Sequence, residues 1–451
     1  MDKASLFEST PGDGGVVVEW RLAPCGTKLV STSKDSTCKV RGASWSVAGV
    51  LARVFLPAGY PHSVRSEYLE YQFFDSLQGL SSYLRGVLCT RSILVGAGVG
   101  DASVTPLAVA SSWILKDGVA IAGSLVFAYH FSDAFECNLK EWRLAADVLN
   151  NVGLSLDLLT GLIPTRHFLL VSGLSSLAKA LCGLVAGATK ARISQHFARG
   201  GHLADVISKE STQETAVCLL GLGLGMALSH VVGDDDASTW AIFVLLLLLH
   251  QWANWCLVKV LVLDTLSGQR LLLMVQDLMR EGQGGAVPSP QHVGARERLW
   301  RPLLLWWRGP RFGASVQHLA LCPAAGIDWV RLQECWGADV STVCLPGLDA
   351  RGRVLVILRA GGSELDAVRA HLIGYFLFLE LDAIPWGSLA SRYRALAETA
   401  APRARAWAAR VALVSDAALR ASFEGAGWDV GVGQARLGQG SHRVSLATKS
   451  D

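Results

Sequence analysis

Three groups of residues have the types and spacing to do chemistry. Gly96-Ala97-Gly98-Val99-Gly100-Asp101 looks like a glycine loop whose backbone N–H groups cradle phosphate. Framed from Gly96 as GxGxxG/A, it puts Asp101 where a small residue is required, and no strand-turn-helix unit surrounds it. Helix packing is the better reading. Lys116 and Asp117 stand side by side in Trp113-Ile114-Leu115-Lys116-Asp117-Gly118, between two apolar stretches. Held mid-membrane, either charge costs roughly 2.5–3.5 kcal/mol, so the two would be paired or functional. Held at a membrane surface, they mark a loop, with Gly118 ending the helix. Arg143 and Asp147 have the i,i+4 spacing of an ion pair. Asp157 and Lys179 are further single charges in apolar segments, suited to a polar path, an anionic ligand or pairing with one another. With Lys209, the candidate polar centre is Lys116, Asp117, Arg143, Asp147 and Lys209.

Other chemistries lack their residues. The eleven histidines show no HxxxH or HExxH spacing, which leaves a metal site without support. The ten cysteines form no CxxC pair, and Cys182, Cys218 and Cys256 fall in apolar stretches. They read as free thiols in a reducing compartment. There is no GxSxG or Walker A motif, so no enzymatic activity is expected. Net charge is only +3, which argues against a nucleic-acid binder.

The elements that must position these residues are apolar. Hydrophobic residues make up 51% of the 451 and charged residues 18%, against about 25% charged in an ordinary soluble domain. Asp2, Glu8, Asp13 and Glu19 interrupt the N-terminus and no apolar core segment follows, so no leader is expected there. Residues 1–55 read as a polar segment with β-like runs such as Val16 to Trp20. Pro57, Gly59 and Pro61 then fix a turn that also holds Tyr60 and Ser63. From Ser66 a helix is predicted, with Leu69, Phe73, Leu77, Leu80, Leu84 and Leu88 on one apolar face.

Five apolar stretches follow, near 93–115, 118–131, 144–163, 168–188 and 216–263, the last split at Gly233-Asp234-Asp235-Asp236. Ile242 to Leu249 alone favour insertion by about 2–5 kcal/mol, partly offset by His250, Gln251, Asn254 and Lys259. Gly96/Gly100, Gly183/Gly187 and Gly221/Gly225 are spaced as GxxxG, which lets helices approach closely in lipid. Tight packing in a soluble bundle is the alternative. Ser211 and Glu214 have the capping-box spacing that would open a crossing at 216. Lys190, Arg192, Arg199 and Lys209 lie in 189–215, and Arg270, Arg280, Arg296, Arg298 and Arg301 follow the last stretch. The 233–239 turn carries three aspartates and no cation. The positive-inside rule therefore puts 189–215 and the tail in the cytoplasm and the turn on the far side.

Residues 265–312 read as a basic, aromatic connector, lying at headgroup level or as a surface helix on the next domain, with a linker at 282–293. From 313 to 451 the pattern is a small soluble α+β domain: strands at 343–345 and 354–358, a helix bearing Leu365, Val368, Leu372, Phe376 and Leu379, helices near 387–399 and 415–425, and a strand near 441–447. The fold class is mainly α, a glycine-rich helical membrane-type bundle over 56–264 followed by that domain.

Leu56-Pro57-Ala58-Gly59-Tyr60-Pro61-His62-Ser63-Val64, then Tyr68-Leu69-x-Tyr71-Gln72, resembles the opening motif of the RUS (Root UVB Sensitive) family. Gly98 to Ala102, Thr105-Pro106, Trp113 to Gly118, Lys140-x-x-Arg143-Leu144-x-Ala146-Asp147, Ala204-Asp205-Val206, Lys209 and Ser211-x-Gln213-Glu214 continue it. Order and spacing hold from about 56 to 264, and Ala426-Gly427-Trp428 extends the likeness loosely. At Ala188-Thr189-Lys190 the family usually has arginine, so a bidentate contact there is in doubt. The resemblance implies links to UV-B responses, seedling development, vitamin B6 balance and auxin transport, and pairing between family members. It brings no catalytic residues. It does raise pyridoxal phosphate as a cofactor, with Lys116 as Schiff-base lysine, Asp117 on the ring nitrogen and the 96–100 glycines around the phosphate. The expected role is a membrane-embedded scaffold or transport-related factor on an intracellular membrane, partnered by lipid and another protein such as a second family member. A vitamin B6 handling protein and a soluble helical interaction module are the alternatives.

Overall fold

The computed structural model describes residues 5–9, 17–22, 29–32, 47–99, 105–131, 135, 138–199, 201–233, 235–280, 286–299, 309–320, 329–384, 387–412, 414–430 and 443–444. The chain forms two compact units, one of residues 1–124 and 146–260, the other of 125–145 and 261–451.

The first unit opens with an antiparallel meander of β1 (Ser5–Ser9), β2 (Val17–Leu22) and β3 (Leu29–Thr32). Then come α1 (Val47–Phe55), the proline turn, and α2 (Tyr68–Gly96). In the turn Gly59 takes φ +75°, a conformation that favours glycine, and the Tyr60–Pro61 peptide is cis. The remaining helices are α3 (Pro106–Phe131), α4 (Leu139–Leu159), α5 (Phe168–Phe197), α6 (Leu203–Val232) and α7 (Asp236–Val260). Among the described residues four helical segments are long and apolar enough to cross a membrane: α3, α5 with its lead-in turn from Thr165, α6 and α7.

Several expectations change here. Lys116-Asp117-Gly118 is no loop, because α3 runs through it unbroken; one glycine inside a helix costs only about 1 kcal/mol. Ser211 and Glu214 lie inside α6, which starts at Leu203, so they cap nothing; an i,i+3 spacing recurs within any helix. Gly183 and Gly187 face open space. By contrast, a Cβ on Gly221 would come within 2.7 Å of Tyr83, one on Gly225 within 2.9 Å of Val87, and one on Gly96 within 2.5 Å of the Thr160 carbonyl. Gly100 lies outside the described residues.

The burial pattern of this unit is mixed: Leu88, Leu154, Leu158, Val232 and Phe243 form a buried apolar cluster, but many polar side chains are buried and many apolar ones exposed. On α2 the buried side chains include Gln72, Ser81, Arg85 and Cys89, while Leu69 and Phe73 of the expected apolar face are exposed. Asp157, Ser175, Thr189, Glu210, His250 and Asn254 are buried on the other helices, and Ile114, Ile121, Leu219, Met226 and Leu245 are exposed.

The second unit is built the ordinary way round. Its elements are α8 (Gly268–Arg280), α9 (Pro290–Arg296), β4 (Arg311–Phe312), α10 (Trp329–Ser341), β5 (Cys344–Leu348), β6 (Val354–Arg359), α11 (Glu364–Asp382), α12 (Leu389–Ala395), α13 (Ala401–Val411), α14 (Asp416–Gly425) and β7 (Arg443–Val444). β6 is central: β5 pairs antiparallel along one edge, with Leu345 opposite Ile357, and β4 and β7 pair parallel along the other. Asp349 closes the β5–β6 turn by accepting from the backbone N–H groups of Arg351 and Arg353 at 2.9 Å. Ser363 and Asp366 form a capping box that opens α11. A Cβ on Gly374 would come within 2.5 Å of the Phe312 ring, so glycine lets α11 sit close on the sheet.

Of the two readings of 265–312, α8 fits a helix packed on the next domain, while Trp300, Arg301, Trp306, Trp307 and Arg308 lie outside the described residues. Leu271, Leu272, Leu273, Met274 and Val275 of α8 are buried in the core of this unit. The 282–293 stretch runs into α9, capped by Ser289 and started by Pro290; residues 281–285 lie outside the described residues.

Candidate functional site

The polar groups of the first unit fall into three clusters, one exposed at the proline turn, one buried and one on α3. One cluster joins the proline turn to the cationic end of α6. Asp205, Lys209 and Gln213 recur every fourth residue and so share one helix face. The Asp205 carboxylate accepts from the Ala58 N–H at 2.7 Å. Lys209 donates to the Arg53 carbonyl and Gln213 to the Phe55 carbonyl, both at 2.6 Å. These carbonyls end α1 and have no intrahelical partner, so the lysine is a charged C-cap placed where the helix dipole favours it. The turn is also fastened to the end of α5: Arg199 N–H donates to the Ser63 carbonyl at 3.0 Å, and Arg65 donates to the His196 carbonyl at 2.7 Å. Beneath it, buried Glu210 accepts from Ser194 at 2.6 Å and Gln72 at 3.1 Å. Lys190 keeps an ion pair with Glu214, a contact that one lysine makes without an arginine fork.

A second cluster lies deeper. Asp157 accepts from Ser175 and from Lys179, each at 2.5 Å. Lys179 crosses α4 at Gly153, where a Cβ would come within 2.7 Å of its Cγ. Arg85 donates to Asn151 at 2.7 Å, and Asn151 donates to Gln251 at 3.1 Å.

A third group is on α3. Lys116 pairs with Asp117 at 3.0 Å, approaches Ser176 Oγ at 3.5 Å and lies 5.1 Å from the Trp113 ring centroid. These residues do not fit pyridoxal phosphate. Asp117 is engaged by Lys116 itself, which leaves no separate partner for a ring nitrogen, and Gly96 is closed by Thr160.

The five candidate residues are thus not gathered into one centre. Lys116 and Asp117 are together, Lys209 belongs to the turn cluster, and Arg143 and Asp147 fall in different units. Asp157 and Lys179 pair. Arg85, Asn151 and Glu210 escape a reading of spacing, because their partners lie on other helices, 16 to 138 residues away. The only sequence signal was a charge within a hydrophobic helix.

A helical bundle with buried polar groups and exposed apolar helix faces, followed by an α+β unit, defines the class of protein. The chain matches the family described as the vitamin B6 photo-protection and homoeostasis domain over residues 42–282, just over half its length. It is 33% identical over 370 residues to "Protein root UVB sensitive 3" of Arabidopsis thaliana, covering 80% of this chain and 83% of that protein. It is 39% identical over 252 residues to "RUS family member 1" of Dictyostelium discoideum, covering 55% of this chain and 47% of that protein, so the match takes in about half of that relative. Against "Protein root UVB sensitive 2, chloroplastic" of Arabidopsis thaliana it is 33% identical over 248 residues, covering 55% of this chain and 56% of that protein. No solved structure matches. The chain belongs to the RUS family.

Proposed function

We propose that this protein is a membrane-embedded scaffold or transport-related factor, serving the vitamin B6 homoeostasis in its family's description and the UV-B response in its relatives' names. The exposed apolar side chains of the first unit's long helices carry this reading. Water would penalise exposed Ile114, Ile121, Leu219 and Leu245, whereas lipid favours them, and large exposed apolar patches on soluble proteins are rare. Buried Gln72, Ser81, Arg85 and Asp157 pay the opposite way: they belong inside a bundle whose outside is hydrocarbon. The second unit, with its apolar core, suits a partner-docking role on the cytoplasmic side, and a second family member is a fitting partner.

The test is alkaline carbonate extraction of membranes from cells expressing a tagged chain, with protease digestion of sealed vesicles. Retention in the pellet with digestion of the second unit from the cytoplasmic side supports the reading. Release into the supernatant overturns it and leaves a soluble helical interaction protein.

A further inference from the structure

Arg85 has 0% exposure on α2, among helices that are otherwise apolar outside. One edge of its guanidinium is occupied, since Nη1 donates to Asn151, which is itself held by Gln251. Phe243 lies 5.8 Å from the guanidinium carbon. Nε and Nη2 are both buried and meet no acceptor among the described residues. These two nitrogens form the side-on fork of arginine, whose parallel N–H bonds match the two oxygens of a carboxylate or phosphate. Leaving buried charged donors unmet is costly, and a fork that is fixed on its other edge is already oriented for a ligand.

A cavity of about 150 Å³ lies further along the same helix, lined among others by Leu88, Ser92, Ser229 and Thr239. Leu88 and Ser92 stand three and seven residues after Arg85, so all three share a face of α2. At roughly 30 Å³ per water, the cavity has room for a small anionic group with some of its hydration. Asp147, one turn before Asn151 on α4, acts on Arg85 through space.

We propose that the Nε/Nη2 fork of Arg85 binds the oxoanionic group, carboxylate or phosphate, of a small solute that arrives through this cavity past Leu88. This goes beyond the membrane reading and is tested apart from it, because binding is measured on solubilised protein whatever the carbonate experiment gives. Full-length protein in mild detergent is titrated with sodium phosphate, and separately with sodium acetate, against sodium chloride at matched ionic strength. The unfolding midpoint is followed, and heats of binding are measured by calorimetry.

A saturable rise with phosphate identifies a phosphorylated solute, and one with acetate alone a carboxylate. Arg85→Lys keeps the charge but loses the fork, and at least tenfold weaker binding is expected. Asp147→Asn removes the competing carboxylate, and binding a few-fold tighter is expected. No response beyond that of chloride overturns the proposal. So does an Arg85→Lys response equal to the wild type, and, should that variant not fold, an unchanged affinity in Asp147→Asn.

Discussion

At the scale of single residues, the second unit holds its charges differently from the first. Glu297 is buried between Arg270 at 2.6 Å and Lys140 at 2.5 Å, all three well shielded from water. Burial alone would raise its carboxyl, but Arg270, then Lys140, outweigh that and hold it below the ordinary value of 4.5. A lowered carboxyl stabilises the fold above that ordinary value, and the contribution is lost as pH falls through the lowered one. Glu141 has the opposite sign: burial pushes it up to about 7. It favours the fold while protonated, most fully below pH 4.5, and that advantage disappears as pH rises through about 7. Glu297→Gln should therefore lower stability at neutral pH by about 3–5 kcal/mol, because two buried cations lose their partner. Glu141→Gln should flatten the decline in unfolding midpoint between pH 5 and pH 8 and raise the midpoint at pH 8. Thermal unfolding of the solubilised chain across that range checks both. Neither residue drew notice in the sequence. Glu297 is 157 residues from Lys140, and no local spacing announces a pair made by folding.

At the scale of elements, periodicity says that a helix has two faces but not which solvent each meets. The Leu69, Phe73, Leu77 stripe of α2 is visible in the sequence, yet Leu69 and Phe73 are exposed while Leu88 of the same stripe is buried beside Gln72, Ser81 and Arg85. The strands β5 and β6 and helix α11 were legible because they belong to a unit where apolar residues do face inward. Helix α8 fits only one of the two readings left open for 265–312, a helix packed on the next domain; its Arg270 is buried yet bonded to Glu297 and the Thr265 carbonyl. The proline turn shows how a motif acts through its neighbours. Lys209 and Gln213 close the end of α1, so Lys209→Met should free the Arg53 carbonyl and cost about 1 kcal/mol of local stability. Faster amide exchange in 47–56, with α7 unchanged, is the expected reading. Similarly, Gly153→Ala would push Lys179 off Asp157 and lower the midpoint by about 1–3 kcal/mol, and the loss should shrink if Lys179 is also changed to Ala.

At the scale of the molecule, helix lengths and loop charges decide how the chain would lie in a bilayer. α6 has 30 residues and α7 has 25, about 45 Å and 37 Å at 1.5 Å per residue. A hydrocarbon core of about 30 Å leaves roughly three turns of α6 outside it. Those turns are the first ones, where Asp205, Lys209 and Glu214 are found. The proline turn and the end of α5, bonded to the same turns, would then sit at the membrane surface. Downstream arginines weigh less in the orientation than their number suggests, because Arg270 is paired with Glu297 and Arg296 with Asp277 inside the second unit. The asymmetry rests on Lys190, Arg192, Arg199 and Lys209 against the aspartates before α7. Single cysteines read this directly, in a chain whose ten native cysteines are changed to alanine. In cells with a permeabilised plasma membrane and intact organelles, Ser208→Cys should react with a membrane-impermeant maleimide, and Ala237→Cys only after detergent. Reaction at both positions without detergent would mean that the α6–α7 hairpin does not cross, and the reverse pattern would turn the molecule over.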